Sequence, residues 1–296
     1  MLFLAFGSFL AGWIVRRRVR IPPSVVPLID RWVLNVALPA VIVSRMSRAE
    51  LGADLLVPAV SAWAVMAVCV SCVAVAARRL EWDEQTRAAL LLVAVLGNTS
   101  FLGLAVVEGI LGPEALEGAI AYDQLGSFLV LATWGSWVAA RWGSGDAGWR
   151  PVLGRMFRFA PFLALCASPL VASIGPPQWF HDALAVPGAT TAPLAMFGLG
   201  LRFTMSGEGV DRRAGATALG VKMLLAPVLL WIALSMTGDA GTLGGRVAIL
   251  QAAAPPMVTA GVVAASAGLA PRLAAWTVGT GTVTSLVLIP LWGLLL

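Results

Sequence analysis

The sequence predicts an all-α membrane protein of ten transmembrane helices, arranged five and five, with helices 4 and 9 broken where they cross. Three observations predict it. The 296 residues are 59% hydrophobic and only 12% charged, with a mean hydropathy of +0.89, which leaves a soluble domain too few polar groups for its surface. Arginine is divided very unevenly between alternate loops. Two of the apolar runs are interrupted near their middles, one by polar residues and glycine and the other by proline.

Apolar runs bounded by charge, glycine and proline place spans near 2–15, 28–46, 57–77, 88–110, 118–140, 159–174, 182–203, 214–236, 246–267 and 273–296. The first run precedes Arg16, Arg17, Arg18 and Arg20, the reverse of a secretory signal, so it reads as a retained span. It is shorter than the roughly 17–25 residues usual for a span, and Arg16 to Arg18 are expected to snorkel toward the headgroups. Counting loops alternately, one side collects the arginines within 16–20, 78–87, 141–158, 202–213 and at Arg272, while the other has only Arg45, Arg48 and Arg246. The rich side is then cytoplasmic. Both termini are expected outside, in a cytoplasmic (inner) membrane of bacterial type. Trp13, Trp82, Trp142, Trp179 and Trp292 lie near span ends, where interfacial anchoring is the ordinary role.

The most basic link, RWGSGDAGWRPVLGRMFR from 141 to 158, separates a first five-span unit (1–140) from a second (159–296). Because five is odd, the second set starts from the opposite face, and halves sharing one fold form two inverted repeats of five. Their interruptions correspond. Pro39 and Pro193 lie in the second span of each half, and GNTS (97–100) and APPMVT (254–259) lie in the fourth.

Asn98, Thr99 and Ser100 make poor helix interiors and good N-caps, while Gly97 and Gly103 ease departure from helical geometry, so span 4 is expected to break near Asn98. Pro255 and Pro256 each remove a backbone donor, and proline is best tolerated in a first turn, so a half-helix is expected to begin there. Lipid cannot satisfy the freed backbone groups, so such breaks imply a protein-lined polar site at the midplane. Each second half-helix would turn its N-terminus, with about half a positive charge, to the centre, which favours an anion such as a carboxylate. Close interhelical packing by the same small and polar residues is the competing reading.

Asp123, adjacent to Gln124 and on one helical face with Ser127, is a candidate for proton or cation coupling, with a structural ion pair as the alternative. Lys222 is expected to snorkel to the cytoplasmic side. Asn35 either lines the cavity or packs helices, and Glu108 reads as interfacial. Gly279, Gly281 and Ser285 give the last span a packing face. Cys69, Cys72 and Cys166 lie in apolar runs, which predicts no disulfides. His181 is the single histidine, so no metal site is expected, nor any other cofactor. The net charge of +5 sits in scattered loop clusters rather than on one surface, which argues against nucleic acid.

The segments LNVALPAVIVSRM (34–46), GNTSFLGL (97–104), AYDQLGSF (121–128), APLAMFGLGLRF (192–203), VKMLLAPVLL (221–230) and AAAPPMVTAGVVA (252–264) resemble the auxin efflux carrier family, within the bile/arsenite/riboflavin transporter superfamily. The resemblance runs through essentially the whole chain. It implies ten spans in two inverted repeats, a scaffold of spans 1, 2, 6 and 7, and a mobile transport domain of spans 3–5 and 8–10 with crossed helices 4 and 9. Family members carry organic anions, including auxin and malonate-like carboxylates. Asn98, Asp123 and Pro255 match family positions, whereas Ala105 stands where the family usually has proline and Ser127 where it often has asparagine.

The leading reading is therefore a secondary active transporter of a small organic anion working by alternating access. Asn98, Thr99, Ser100, Gln124, Ser127, Pro255, Pro256 and Asn35 are its candidate substrate residues and Asp123 its candidate coupling residue. H+ or Na+ is the candidate coupling ion, and a homodimer the candidate assembly. An ion-coupled symporter of bile-acid-transporter type and a non-transporting sensor are the alternatives. A channel would need a continuous polar pore, and an intramembrane enzyme a catalytic set; neither is evident in the sequence. No P-loop argues for direct ATP drive.

Overall fold

The computed structural model describes residues 2–50, 52–143, 157–202 and 209–296, and all twelve of the longer elements among them are helices. They are α1 (Leu2–Arg18), α2 (Val25–Met46), α3 (Ala53–Arg79), α4 (Glu84–Val93), α5 (Thr99–Leu111), α6 (116–142), α7 (Ala160–Ile174), α8 (Gln178–Arg202), α9 (Arg212–Thr237), α10 (Leu243–Ala252), α11 (Val258–Ser266) and α12 (Pro271–Leu295). Five of these, α2, α3, α8, α9 and α12, are each long and apolar enough to cross a membrane. Most of the basic link, from 144 to 156 with Arg150 and Arg155, lies outside the described residues.

Helix starts follow local chemistry. Asp83 caps α4 by accepting from the Thr86 amide at 2.8 Å, a bond that holds its carboxyl below the ordinary carboxylate range. Asp211 caps α9 through the amides of Arg213 and Ala214, and Thr242 caps α10 through that of Gly245. The outer surface is apolar: Leu28, Val60, Leu170, Val186, Met236 and Val287 are all more than 60% exposed. Such a surface suits hydrocarbon as solvent.

The packing exchanges partners between the ends of the chain. Helix α1 lies along the second half of α8, and α7 lies along the second half of α2. Glycine permits the first contact, since a Cβ on Gly12 would lie 2.2 Å from the Phe197 carbonyl oxygen and one on Gly200 would lie 2.1 Å from that of Phe9. Arg16 donates to the Leu201 carbonyl at 3.1 Å, and Arg17 covers the Trp13 ring at 4.1 Å. Trp292 departs from the expected anchoring role: it is 7% exposed and donates to the Met223 carbonyl at 3.3 Å, because its helix turns that face inward.

Both expected breaks are present, between α4 and α5 and between α10 and α11. They meet. The Asn98 amide donates to the Pro255 carbonyl at 2.7 Å and the Met257 amide to the Leu96 carbonyl at 2.8 Å, a short antiparallel bridge of Gly97 with Pro256. Helix α12 closes behind it, with Gly281 so near Pro256 that a Cβ would lie 2.5 Å from the proline Cδ.

Two details differ from the expected caps. Asn98 precedes α5, but with φ −77° and ψ 66° its side chain makes no capping bond, because an N-cap needs extended backbone to present its oxygen to the first turn. The prolines lie within the break, and α11 starts two residues beyond them at Val258. A residue before proline is driven to extended geometry, and here the bridge to Leu96 and Asn98 uses that extended stretch.

Candidate functional site

Three of the helices widen into π-helical turns beside the crossing: Thr99–Gly103 in α5, Tyr122–Phe128 in α6 and Val221–Leu225 in α9. Each wider turn shifts the facing of the residues it carries, and π-helical turns recur at functional sites. These three carry Thr99, Ser100, Asp123, Gln124, Ser127 and Lys222.

Asp123 is the hub. Its carboxylate accepts from Thr99 Oγ1 at 2.5 Å, from Ser100 Oγ at 2.7 Å and from Gln124 Nε2 at 2.7 Å, and it is 1% exposed. Four residues singled out in the sequence thus form one hydrogen-bonded group at the first turn of α5. The carboxyl group at the positive end of that half-helix is the protein's own. Ser127 is buried one turn further along the same stretch of α6.

Asn98 is buried beside this group with its Nδ2 unpartnered, and the Gln124 Oε1 is likewise buried without a donor. Asn35 is not brought to the site: it is exposed on α2 and donates to the Arg31 carbonyl of its own helix at 2.9 Å. Pro255 and Pro256 contribute through the main chain, by the bridge described above.

Two further side chains belong to the crossing. Gln251, in the last turn of α10, donates weakly to the carbonyls of Thr99 at 3.4 Å and Ala119 at 3.3 Å, and its Oε1 lies where a Cβ on Gly103 would be, 2.0 Å away. Gly103 is therefore small for close approach rather than for turning. A lone glutamine four residues before a double proline was the available signal. Lys222 does not snorkel: it is 1% exposed, and its Nζ donates to the Ala252 carbonyl at 2.5 Å. Its helix register turns it inward, which hydropathy alone does not reveal.

A cleft of about 370 Å³ leads to this group, within the roughly 300–1,000 Å³ usual for small-molecule sites. Its walls are the end of α2 and the residues after it (Val41 to Arg48), α5 (Ser100 to Glu108), the start of α6 (Leu116 and Glu117) and the start of α8 (Gln178 to Ala192). Ser100 is the residue shared by the cleft and the Asp123 group. Arg45, Arg48, Glu108, Glu117 and Asp182 supply the charge of the lining, and His181 contributes a buried Nδ1 without a partner. Glu108 is one of the residues that line the cleft. Arg48 donates to Gln178 Oε1 at 2.7 Å, tying α2 to α8 at the mouth. At the opposite end of α8, Arg202 pairs with Asp30 of α2.

A family model described as membrane transport protein matches residues 1–147 and 152–293. An uncharacterized transporter of Methanothermobacter thermautotrophicus is 29% identical over 271 residues, which cover 90% of this chain and 88% of the relative. An uncharacterized transporter of Methanocaldococcus jannaschii is 28% identical over 212 residues, covering 70% and 68%.

Proposed function

We propose, from the premise that the chain belongs to the membrane transport protein family, the auxin efflux carriers, that it is a secondary active transporter of a small organic anion. The observation that carries this is the cleft ending at Ser100, because it joins a solute-sized space to the broken-helix crossing. Arg45 and Arg48 are its cationic groups, and the Asn98 Nδ2, two residues before the lining Ser100, is a buried donor without a partner. Asp123 opposes a second carboxylate at Ser100, so the anion binds when Asp123 carries a proton, and proton and anion move together.

The exchange of partners, α1 with α8 and α7 with α2, supports two inverted halves, 1–140 and 159–296, joined by the link at 141–158. In that arrangement spans 1 and 6 are equivalent, as are 2 and 7, so the two contacts are one contact repeated. The scaffold is then α1, α2, α7 and α8, and the cleft lies between it and a transport domain made of the remaining helices. Alternating access follows as the transport domain shifts against the scaffold.

The arginine imbalance orients the cleft to the outside and both termini with it, in a bacterial-type inner membrane. A single cysteine placed after Leu296 in a cysteine-free variant is expected to react with an impermeant maleimide in intact cells. Labelling only after lysis would reverse the orientation. For transport itself, proteoliposomes loaded with malonate are expected to show saturable counterflow of labelled malonate or another carboxylate. Ligand-dependent thermal stabilisation without any flux would favour a sensor instead.

A further inference from the structure

Lys222 carries its charge into the most enclosed part of the molecule. Among the described residues it is the largest fully buried side chain, and no acidic side chain there forms an ion pair with it. Its hydrogen-bond partner among the described residues is a main-chain oxygen, that of Ala252, the last residue of α10. Its Nζ also lies 3.2 Å from where a Cβ on Gly97 would be, four residues beyond the end of α4. A side chain on Gly97 would press on the ammonium.

A helix ends with unpaired carbonyls and about half a negative charge. The last carbonyl of α10 lies beside this ammonium, and so does Gly97, in the stretch that follows α4. Secondary carriers use such half-helix C-termini and unwound carbonyls to hold a coupling cation. A buried charge without a carboxylate is otherwise hard to account for, since an unpaired ion loses several kcal/mol of hydration, roughly, on leaving water.

We infer that Lys222 is the resident cation of the crossing: its ammonium stands where the carbonyl end of α10, beside Gly97 of the other break, would otherwise take a sodium ion, and the protein works without sodium. The two sides of the crossing are then complementary. Asp123 lies at the positive end of α5, and Lys222 fills the negative end of α10. The consequence for coupling rests on the carrier reading, but the ion requirement itself can be measured with no organic solute present.

The test is the thermal unfolding midpoint of the purified full-length protein in sodium, potassium and choline chloride at equal ionic strength. Wild type is expected to unfold at the same temperature in all three, within about 1 °C. Lys222→Ala leaves room and unpaired carbonyls, and sodium is expected to raise its midpoint by about 3 °C or more over choline. Lys222→Met fills the space and is expected to show no sodium-specific rise. A sodium-specific rise in wild type, or a folded Lys222→Ala that ignores sodium, overturns the assignment. If Lys222→Ala does not fold, the wild-type comparison decides alone. Absence of malonate flux would defeat the carrier reading and leave these ion titrations as they are.

Discussion

Asp123→Asn is expected to flatten the pH profile of carboxylate uptake and to abolish its acceleration by an imposed proton gradient, with the fold retained. In the native protein the carboxylate accepts from Thr99, Ser100 and Gln124. A substrate carboxylate reaching Ser100 would stand about 5 Å from it. At an effective dielectric of 20 the repulsion is about 3 kcal/mol, on the order of a hundredfold in affinity. A proton on Asp123 removes that repulsion. Binding therefore strengthens as pH falls through the titration of Asp123 and is lost as pH rises through it. The amide is neutral at every pH, so the variant keeps the tighter affinity at alkaline pH, where wild type is weaker by up to roughly that hundredfold. Its fold is protected by the partnerless Gln124 Oε1, which can accept from the new amide. Uptake measured across pH, with and without a proton gradient, checks the expectation. A well-folded variant with the wild-type profile would remove Asp123 from coupling.

The pieces of this site were legible to different degrees. The breaks were readable because the groups that cause them are local: glycine, asparagine and proline act through their own backbone geometry. The convergence of Thr99, Ser100, Asp123 and Gln124 was readable as a set of polar residues that lipid would not tolerate, though not as a bonded group. Asn35 met the same criterion and lies elsewhere, because its amide bonds to its own helix. Sequence position does not distinguish these two outcomes.

Facing is what the sequence hides. A π-helical turn changes which side of the helix the following residues present, and no residue type marks it, so Lys222 reads as a snorkelling lysine until its helix is built. Gln251 is hidden for another reason: its role depends on Gly103, which is distant in the chain and meets it only once the crossing has formed. The prolines mislead in the opposite direction. Alone they favour a helix start, but paired with Leu96 and Asn98 they stay extended. A contact between two breaks outweighs the preference of either one.

Asn98→Asp is expected to weaken carboxylate binding far more than Asn98→Ser, and the structure says why both should fold. The bridge uses the Asn98 amide and the Pro255 carbonyl, not the side chain, and no capping bond is lost because none is made. What changes is the buried Nδ2, an unpartnered donor in the native protein. Serine keeps the position neutral and can still donate, so its loss should be near that of one neutral hydrogen bond, about 1 kcal/mol or less than tenfold. Aspartate removes the donor and adds charge at the residue that precedes Thr99 and Ser100, both already bonded to Asp123. Two like charges about 4 Å apart repel by roughly 4 kcal/mol at a dielectric of 20, nominally a thousandfold, reduced to the extent that the new acid takes up a proton. The gap between the variants should therefore narrow as pH is lowered. Malonate binding to each variant, measured at two pH values after matching thermal stability, checks this. Equal affinities at neutral pH would mean that no anion approaches Asn98, and the crossing would then be a packing device whose charges serve only each other.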